Sequence, residues 1–206
     1  MDGVLIDSEP VWKIAMQAVF DEVGCPLTKK DFQKTVGLRL DEVIDYWYHQ
    51  VGWENCPPSQ VESKIVLKMV ELLSANGKPL PGVIETIHYL KANNYKIGLA
   101  TSSYRVLIDT VLNVLDLTAY FDFTHSAEDE LYGKPHPAVY LTVADRLGVK
   151  PSECLVIEDS INGIIAAKAA KMNVICIPEK THHPDPKLII ADFQYETMLE
   201  LLADFN

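Results

Sequence analysis

Tyr95-Lys96-Ile97-Gly98-Leu99-Ala100-Thr101-Ser102-Ser103 decides the fold class. The run from Tyr95 to Ala100 is short, largely apolar and followed at once by three hydroxyl side chains, which is the pattern of a brief buried strand ending in polar groups. Similar runs recur at Cys154 to Ile157 and Val174 to Ile177, with a weaker one at Phe121 to Thr124. Between them lie amphipathic segments. The spacing predicts helices from Val83 to Leu90, from Val106 to Leu115, from Val139 to Leu147 and from Ile161 to Ala170; Pro137 stands near the start of the third and Gly148 just past its end. Short apolar strands alternating with helices predict an α/β fold, a parallel sheet covered on both faces, with ligands at the carboxyl ends of the strands.

Upstream the texture changes. Between Pro10 and Lys78 every periodic segment is helical: Val43, Trp47 and Val51 recur four apart, and Val61, Ile65, Met69, Leu72 and Leu73 carry the spacing through a longer helix. Gly24-Cys25-Pro26 and Asn55-Cys56-Pro57-Pro58 break it. This segment is predicted to be a small helical bundle. Glu179 to Lys187 reads as a surface loop in which His182-His183 is solvated.

The 206 residues, 48% apolar and 23% charged, are enough for one domain with an insertion or for a large and a small domain, and exclude a collagen, a disordered tail and a disulfide miniprotein. Eighteen Lys and Arg stand against 29 Asp and Glu, a net charge of -11 whose field repels nucleic acid and anionic lipid. Any anionic substrate must therefore meet a local cluster of positive charge. Cys25, Cys56, Cys154 and Cys176 form no C-x-x-C and read as reduced, buried thiols of a cytoplasmic protein. No apolar run approaches 18 residues, so neither a membrane span nor an export signal is expected.

Four segments carry chemistry. Asp2-Gly3-Val4-Leu5-Ile6-Asp7-Ser8-Glu9 opens the chain with carboxylates around an apolar run; on its own, Asp-Gly is also an ordinary turn signal. Gly98 to Ser103 ends a strand in hydroxyls, Gly133-Lys134-Pro135-His136-Pro137 sets a lysine before a helix start, and Val156-Ile157-Glu158-Asp159-Ser160 ends a strand in two carboxylates. Thr101 to Ser103 also suits a helix N-cap, and a helix dipole accounts for one of the two carboxylates but not easily for both.

In this order and spacing the four segments resemble the motifs of the haloacid dehalogenase superfamily across the whole chain. The resemblance implies a Rossmann-like parallel core at 1–9 and 80–206 with an α-helical cap domain inserted at 10–79. It also implies phosphoryl transfer from an aspartate nucleophile with Mg²⁺. Asp2 becomes the general acid/base, its backbone carbonyl a Mg²⁺ ligand. Thr101 donates its hydroxyl to a phosphoryl oxygen and Ser102 its backbone N–H; Lys134 neutralises the phosphate. Asp159 coordinates Mg²⁺, with Glu158 a ligand directly or through water. The nucleophile belongs two residues before Asp2, immediately before Met1, so an apolar strand ending in an aspartate is expected upstream.

The Asp-Gly-Val-Leu-Ile-Asp-Ser-Glu-Pro opening, Leu-Arg-Leu-Asp-Glu-Val and Tyr-Gly-Lys-Pro-His-Pro look most like hexitol and 2-deoxyglucose 6-phosphate phosphatases, with β-phosphoglucomutase-like proteins close by. A sugar or sugar-alcohol phosphate is the expected substrate, hydrolysed by a monomer or weak dimer. Arg39, beside Gly37-Leu38, is a candidate substrate contact, or else an exposed helix-start arginine beside Asp41 and Glu42. A mutase usually has an arginine where Leu40 stands. Trp12, Trp47 and Tyr48 could line a sugar ring or belong to the core. His136 is expected near the site and is assigned to no metal. Two rival functions stay open: a sugar phosphomutase, and an inactive phosphate or metal binder if the polypeptide truly begins at Met1. A dehalogenase has no need of the metal site that Glu158 and Asp159 supply.

Overall fold

Apolar strands of four residues need helices on both faces to leave water, and the chain supplies them in alternation. A computed structural model describes residues 1–35, 38–179 and 185–205. It divides the chain into two compact units, Met1–Asp7 with Lys78–Asn206, and Ser8–Gly77. The larger unit runs α5 (Val83–Ala92), β1 (Gly98–Thr101), α6 (Arg105–Val114), β2 (Phe123–Ser126), α7 (Ala138–Leu147), β3 (Leu155–Glu158), α8 (Ile161–Ala169), β4 (Asn173–Cys176), β5 (Phe193–Gln194) and α9 (Met198–Phe205). These strands pair in parallel: β1 lies on β2 with Gly98 opposite Phe123, β3 on β4 with Leu155 opposite Asn173, and β4 on β5 with Ile175 opposite Phe193.

The single sheet expected from the sequence is instead two ladders, β1-β2 and β3-β4-β5. They share a layer. Ala100 of β1 and Val156 of β3 both pack on one cluster that includes Val139, Tyr140 and Ala144 of α7, Ile164 and Ala167 of α8, and Val174 of β4. Each fully buried aliphatic side chain in such a cluster contributes about 1.5–3 kcal/mol. The amino-terminal turn is fixed to the same unit: the Gly3 and Leu5 N–H groups donate to Ile6 and Met1 carbonyls, and Leu80 N–H donates to the Leu5 carbonyl.

The smaller unit holds α1 (Glu9–Glu22), α2 (Lys29–Phe32), α3 (Leu40–Gln50) and α4 (Pro58–Asn76). Val61, Ile65, Met69 and Leu73 of α4 are buried at helical spacing, as are Ala15, Val19 and Phe20 of α1. Trp47 is 4% exposed and belongs to this core, with the Lys34 ammonium 5.4 Å from its ring centroid; Tyr48 packs edge-on against Trp53. Trp47 is thus core, whereas Tyr48 is exposed and Trp12 half-buried.

Two other expectations change. Cys25 and Cys176 are buried, but Cys56 and Cys154 are only half-buried; all four are free thiols. Cys154 stands just ahead of Leu155, which is 47% exposed, so β3 starts at the surface. The expected loop at 179–187 runs into a 3-10 turn at Pro186–Ile190, and His182-His183 lies outside the described residues. Among the described residues no helix is long and apolar enough to cross a membrane.

Candidate active site

Parallel strands point their carboxyl ends the same way, so the polar residues after β1 and β3 meet at one edge of the larger unit. After β1, Thr101 is buried and its Oγ1 accepts a hydrogen bond from the Ser103 N–H at 3.2 Å. Ser103 Oγ donates to Asp2 Oδ2 at 2.7 Å, and the Ser103 carbonyl accepts from Ser126 Oγ at 2.7 Å. The Ser102 side chain is exposed. This end of the site is built from hydroxyls and amides around one carboxylate.

After β3 the groups are charged. Lys134 Nζ donates to a Glu158 carboxylate oxygen and, at 3.4 Å, to the Ala100 carbonyl, so its ammonium ties the end of β3 to β1. The two side chains are 11% and 7% exposed. Glu158 also accepts from Tyr140 Oη, from the Asp159 and Ser160 N–H groups, both at 3.2 Å, and from Ser160 Oγ at 2.9 Å. Burial alone would raise the pKa of Glu158, but the Lys134 ammonium and the Tyr140 hydroxyl outweigh it and hold the carboxyl well below its ordinary value. Asp159 moves the other way. Burial, with the Glu158 charge beside it, lifts its carboxyl to about 7.

Two glycines make room for these acids. Gly3 has φ of +64°, and a Cβ there would collide with the Asp159 carboxylate; a Cβ on Gly163 of α8 would collide with the Glu158 carboxylate. The Asp-Gly pair at 2–3 is thus both the turn that its residues favour and the close approach to Asp159. Ser160 caps α8, its hydroxyl accepting from the Gly163 N–H at 3.1 Å.

The donor set suits a hard cation of the magnesium type. Asp159 is pushed toward its neutral form by burial and, second, by the Glu158 carboxylate beside it, and a divalent ion at oxygen ligands would offset that charge. Glu158 is different, since both of its oxygens already accept protein hydrogen bonds. Among the described residues no three His, Cys, Asp or Glu side chains converge into a ready-made cage.

Asp2, Thr101, Lys134, Glu158 and Asp159 thus all belong to the larger unit: Thr101 ends β1, Glu158 and Asp159 stand at the end of β3, and Asp2 of the amino-terminal turn and Lys134 of the loop before α7 reach these ends through Ser103 and Glu158. Arg39 belongs to the other unit. Its N–H donates to Glu42 Oε2 at 2.8 Å and its Nε to Asp41 Oδ1 at 3.1 Å at the start of α3, and Leu40 beside it is buried. His136 is exposed, and its Nδ1 accepts from the Ala138 N–H at 3.3 Å. The sequence reading missed Ser103, Tyr140 and Ser160 as partners of the site. A hydroxyl on the apolar stripe of α7 was the signal for Tyr140, because a buried phenol needs an acceptor.

A family model for haloacid dehalogenase-like hydrolases matches residues 1–177, so the chain belongs to that family and is an enzyme of the phosphatase kind. Among its relatives, hexitol phosphatase B of Escherichia coli K12 is 38% identical over 204 residues, 98% of this chain and 92% of that protein. A phosphorylated carbohydrates phosphatase of Thermotoga maritima is 35% identical over 176 residues, 82% of this chain and 78% of that protein. A crystal structure described as a putative beta-phosphoglucomutase from Thermotoga maritima superposes with a TM-score of 0.80 at 28% identity, covering 100% of this chain and 97% of the other.

Proposed function

We propose that this enzyme is a cytoplasmic, Mg²⁺-dependent phosphatase of sugar or sugar-alcohol phosphates that works through an aspartyl-phosphate. The observation that carries the reading is the Lys134 ammonium joining the ends of β1 and β3, where it bonds the Ala100 carbonyl next to Thr101 and the Glu158 carboxylate next to Asp159. The names of the two phosphatase relatives favour a carbohydrate phosphate as substrate.

Each residue then has a task. Lys134 and the Thr101 hydroxyl, with the Ser102 N–H, hold the phosphoryl oxygens, so the charge that builds up in the transition state meets donors already in place. Asp2, held by Ser103 Oγ, gives its proton to the leaving oxygen and later takes one from the attacking water. Asp159 and the Asp2 carbonyl would hold Mg²⁺, with Glu158 acting through water. When bound, the ion offsets charge on the phosphoryl group.

The nucleophile of this reading is an aspartate joined to Met1. A sugar phosphomutase is the second reading, favoured by the likeness to the Thermotoga structure and disfavoured by the buried Leu40.

Protein made from the whole gene, given a hexitol 6-phosphate in ¹⁸O-water, is expected to release inorganic phosphate carrying one solvent oxygen. An isomeric sugar phosphate with no phosphate release selects the mutase. A gene without an aspartate before Met1 overturns the covalent step.

A further inference from the structure

Tyr140 is not part of any segment that the sequence reading assigned to chemistry, yet it touches two charged groups of the site. Its hydroxyl donates to Glu158 Oε1, the same oxygen that accepts from Lys134, and its ring centroid lies 4.8 Å from the Lys134 ammonium. The residue is buried on α7, between Val139 and the Val143-Ala144 step of the same apolar face. A phenol in that stripe costs more to bury than phenylalanine unless its hydroxyl has a partner, and here the partner is the lysine's own counterion.

We propose that Tyr140 is a positioning residue for Lys134. The ring supplies an electron-rich surface under the ammonium, which fixes the direction from which the cation leaves its stem. The hydroxyl occupies one lone pair of Glu158 Oε1, so this oxygen offers the lysine one site and one angle rather than several. Oε2 is locked by the Asp159 and Ser160 N–H groups and by Ser160 Oγ, so the carboxylate cannot turn to follow the lysine. The ammonium is thereby held between Glu158 and the Ala100 carbonyl, at the edge where a phosphoryl oxygen has to meet it.

This inference rests on the phosphatase reading for what Lys134 does, but its test does not. The affinity of the whole chain for inorganic phosphate, measured by calorimetry, reads the lysine without any turnover. Tyr140→Phe keeps the ring and removes one hydrogen-bond donor; phosphate binding is expected to weaken by about 3- to 10-fold. Tyr140→Leu removes ring and hydroxyl together and is expected to weaken it further, by about another 3-fold or more. In turnover the Phe variant is expected to lose kcat by about 5- to 20-fold with KM changing less, because a misplaced ammonium matters most when charge is greatest. A purely structural role would instead lower the melting temperature and leave phosphate affinity per folded molecule alone.

A second measurement needs no variant. In the unaltered chain the ¹⁵N-labelled Lys134 ammonium is expected to give an upfield-shifted, slowly exchanging signal, shielded by the Tyr140 ring and held by Glu158. Phosphate affinity and kcat of Tyr140→Phe within about twofold of the parent overturn the proposal; so does a Lys134 signal that exchanges like a surface lysine. Phosphate binding that responds to Tyr140 in a protein that hydrolyses no sugar phosphate leaves the proposal standing and removes the phosphatase reading.

Discussion

The helical unit and the strand unit treat charged groups in opposite ways. In 8–77 the charged side chains stay at the surface in pairs such as Lys64–Glu22 and Lys68–Glu71, and the interior is aliphatic and aromatic apart from the hydroxyls of Ser8 and Thr35. In the larger unit Thr101, Ser103, His125, Ser126 and Glu158 are buried, each with a hydrogen-bond partner. Burying such groups contributes little to stability compared with an apolar core of the same volume. Hydroxyls are buried in both units, but among the described residues the buried carboxylate and imidazole, Glu158 and His125, belong to the larger unit alone, where the chemistry is proposed. Exposed ion pairs of the helical unit are worth about 0–1 kcal/mol each, so its stability rests on its apolar core.

That contrast can be broken most sharply at Asp159. Asp159→Asn removes an anionic ligand from a carboxyl already lifted by Glu158, and turnover at limiting Mg²⁺ is expected to fall to background while the melting curve holds or improves. Unchanged turnover of an aryl phosphate would take Asp159 out of the metal site. The mirror experiment is Ile65→Ala in α4. Ile65 is fully buried, and the cavity is expected to cost about 2–5 kcal/mol in denaturant melts, with kcat per folded molecule close to the parent. A stable variant with lost activity would reverse the division of labour.

Smaller effects sharpen it. Arg39→Ala is expected to raise KM for a hexitol phosphate by roughly tenfold while an aryl phosphate is hardly affected, because only the larger substrate gains from remote contacts. Equal change for both substrates would leave Arg39 with its helix-start role beside Asp41 and Glu42. The smallest expected effect concerns Glu130. Burial pushes its carboxyl up, but hydrogen bonds from Thr142 Oγ1 at 2.6 Å and His125 at 2.8 Å prevail and hold it below the ordinary value of 4.5. Being lower in the folded state, it adds stability that is complete above about 4.5 and is lost as pH falls through the folded value. Glu130→Gln should flatten acid unfolding in that window; an unaltered acid limb would contradict it.

Much of this was legible in the sequence because periodicity reports burial directly. The four helices of 83–170 and the runs at β1, β3 and β4 follow from apolar spacing, and the hydroxyl and acid tails of β1 and β3 follow from where those runs stop. β5 was not legible: it is two residues long, and Phe193 is 57% exposed, so no alternation exists to read. The aromatic spacing of α3 could not separate wall from core, since Trp47 satisfies both patterns until its neighbours are known. Pairing across distant segments was hidden as well. Nothing local to Ser103 says that its hydroxyl bonds Asp2, 101 residues away, nor that Tyr140 and Lys134 share an oxygen of Glu158. The split into two ladders likewise depends on which strands meet, which composition does not encode.

The most direct measurement is a crystal structure of the protein with inorganic phosphate. The phosphate is expected within about 3 Å of Thr101 Oγ1, the Ser102 N–H and Lys134 Nζ, at the ends of β1 and β3. Phosphate bound elsewhere, with Lys134 contacting Glu158 alone, would contradict the placing of the chemistry at that edge of the strand unit.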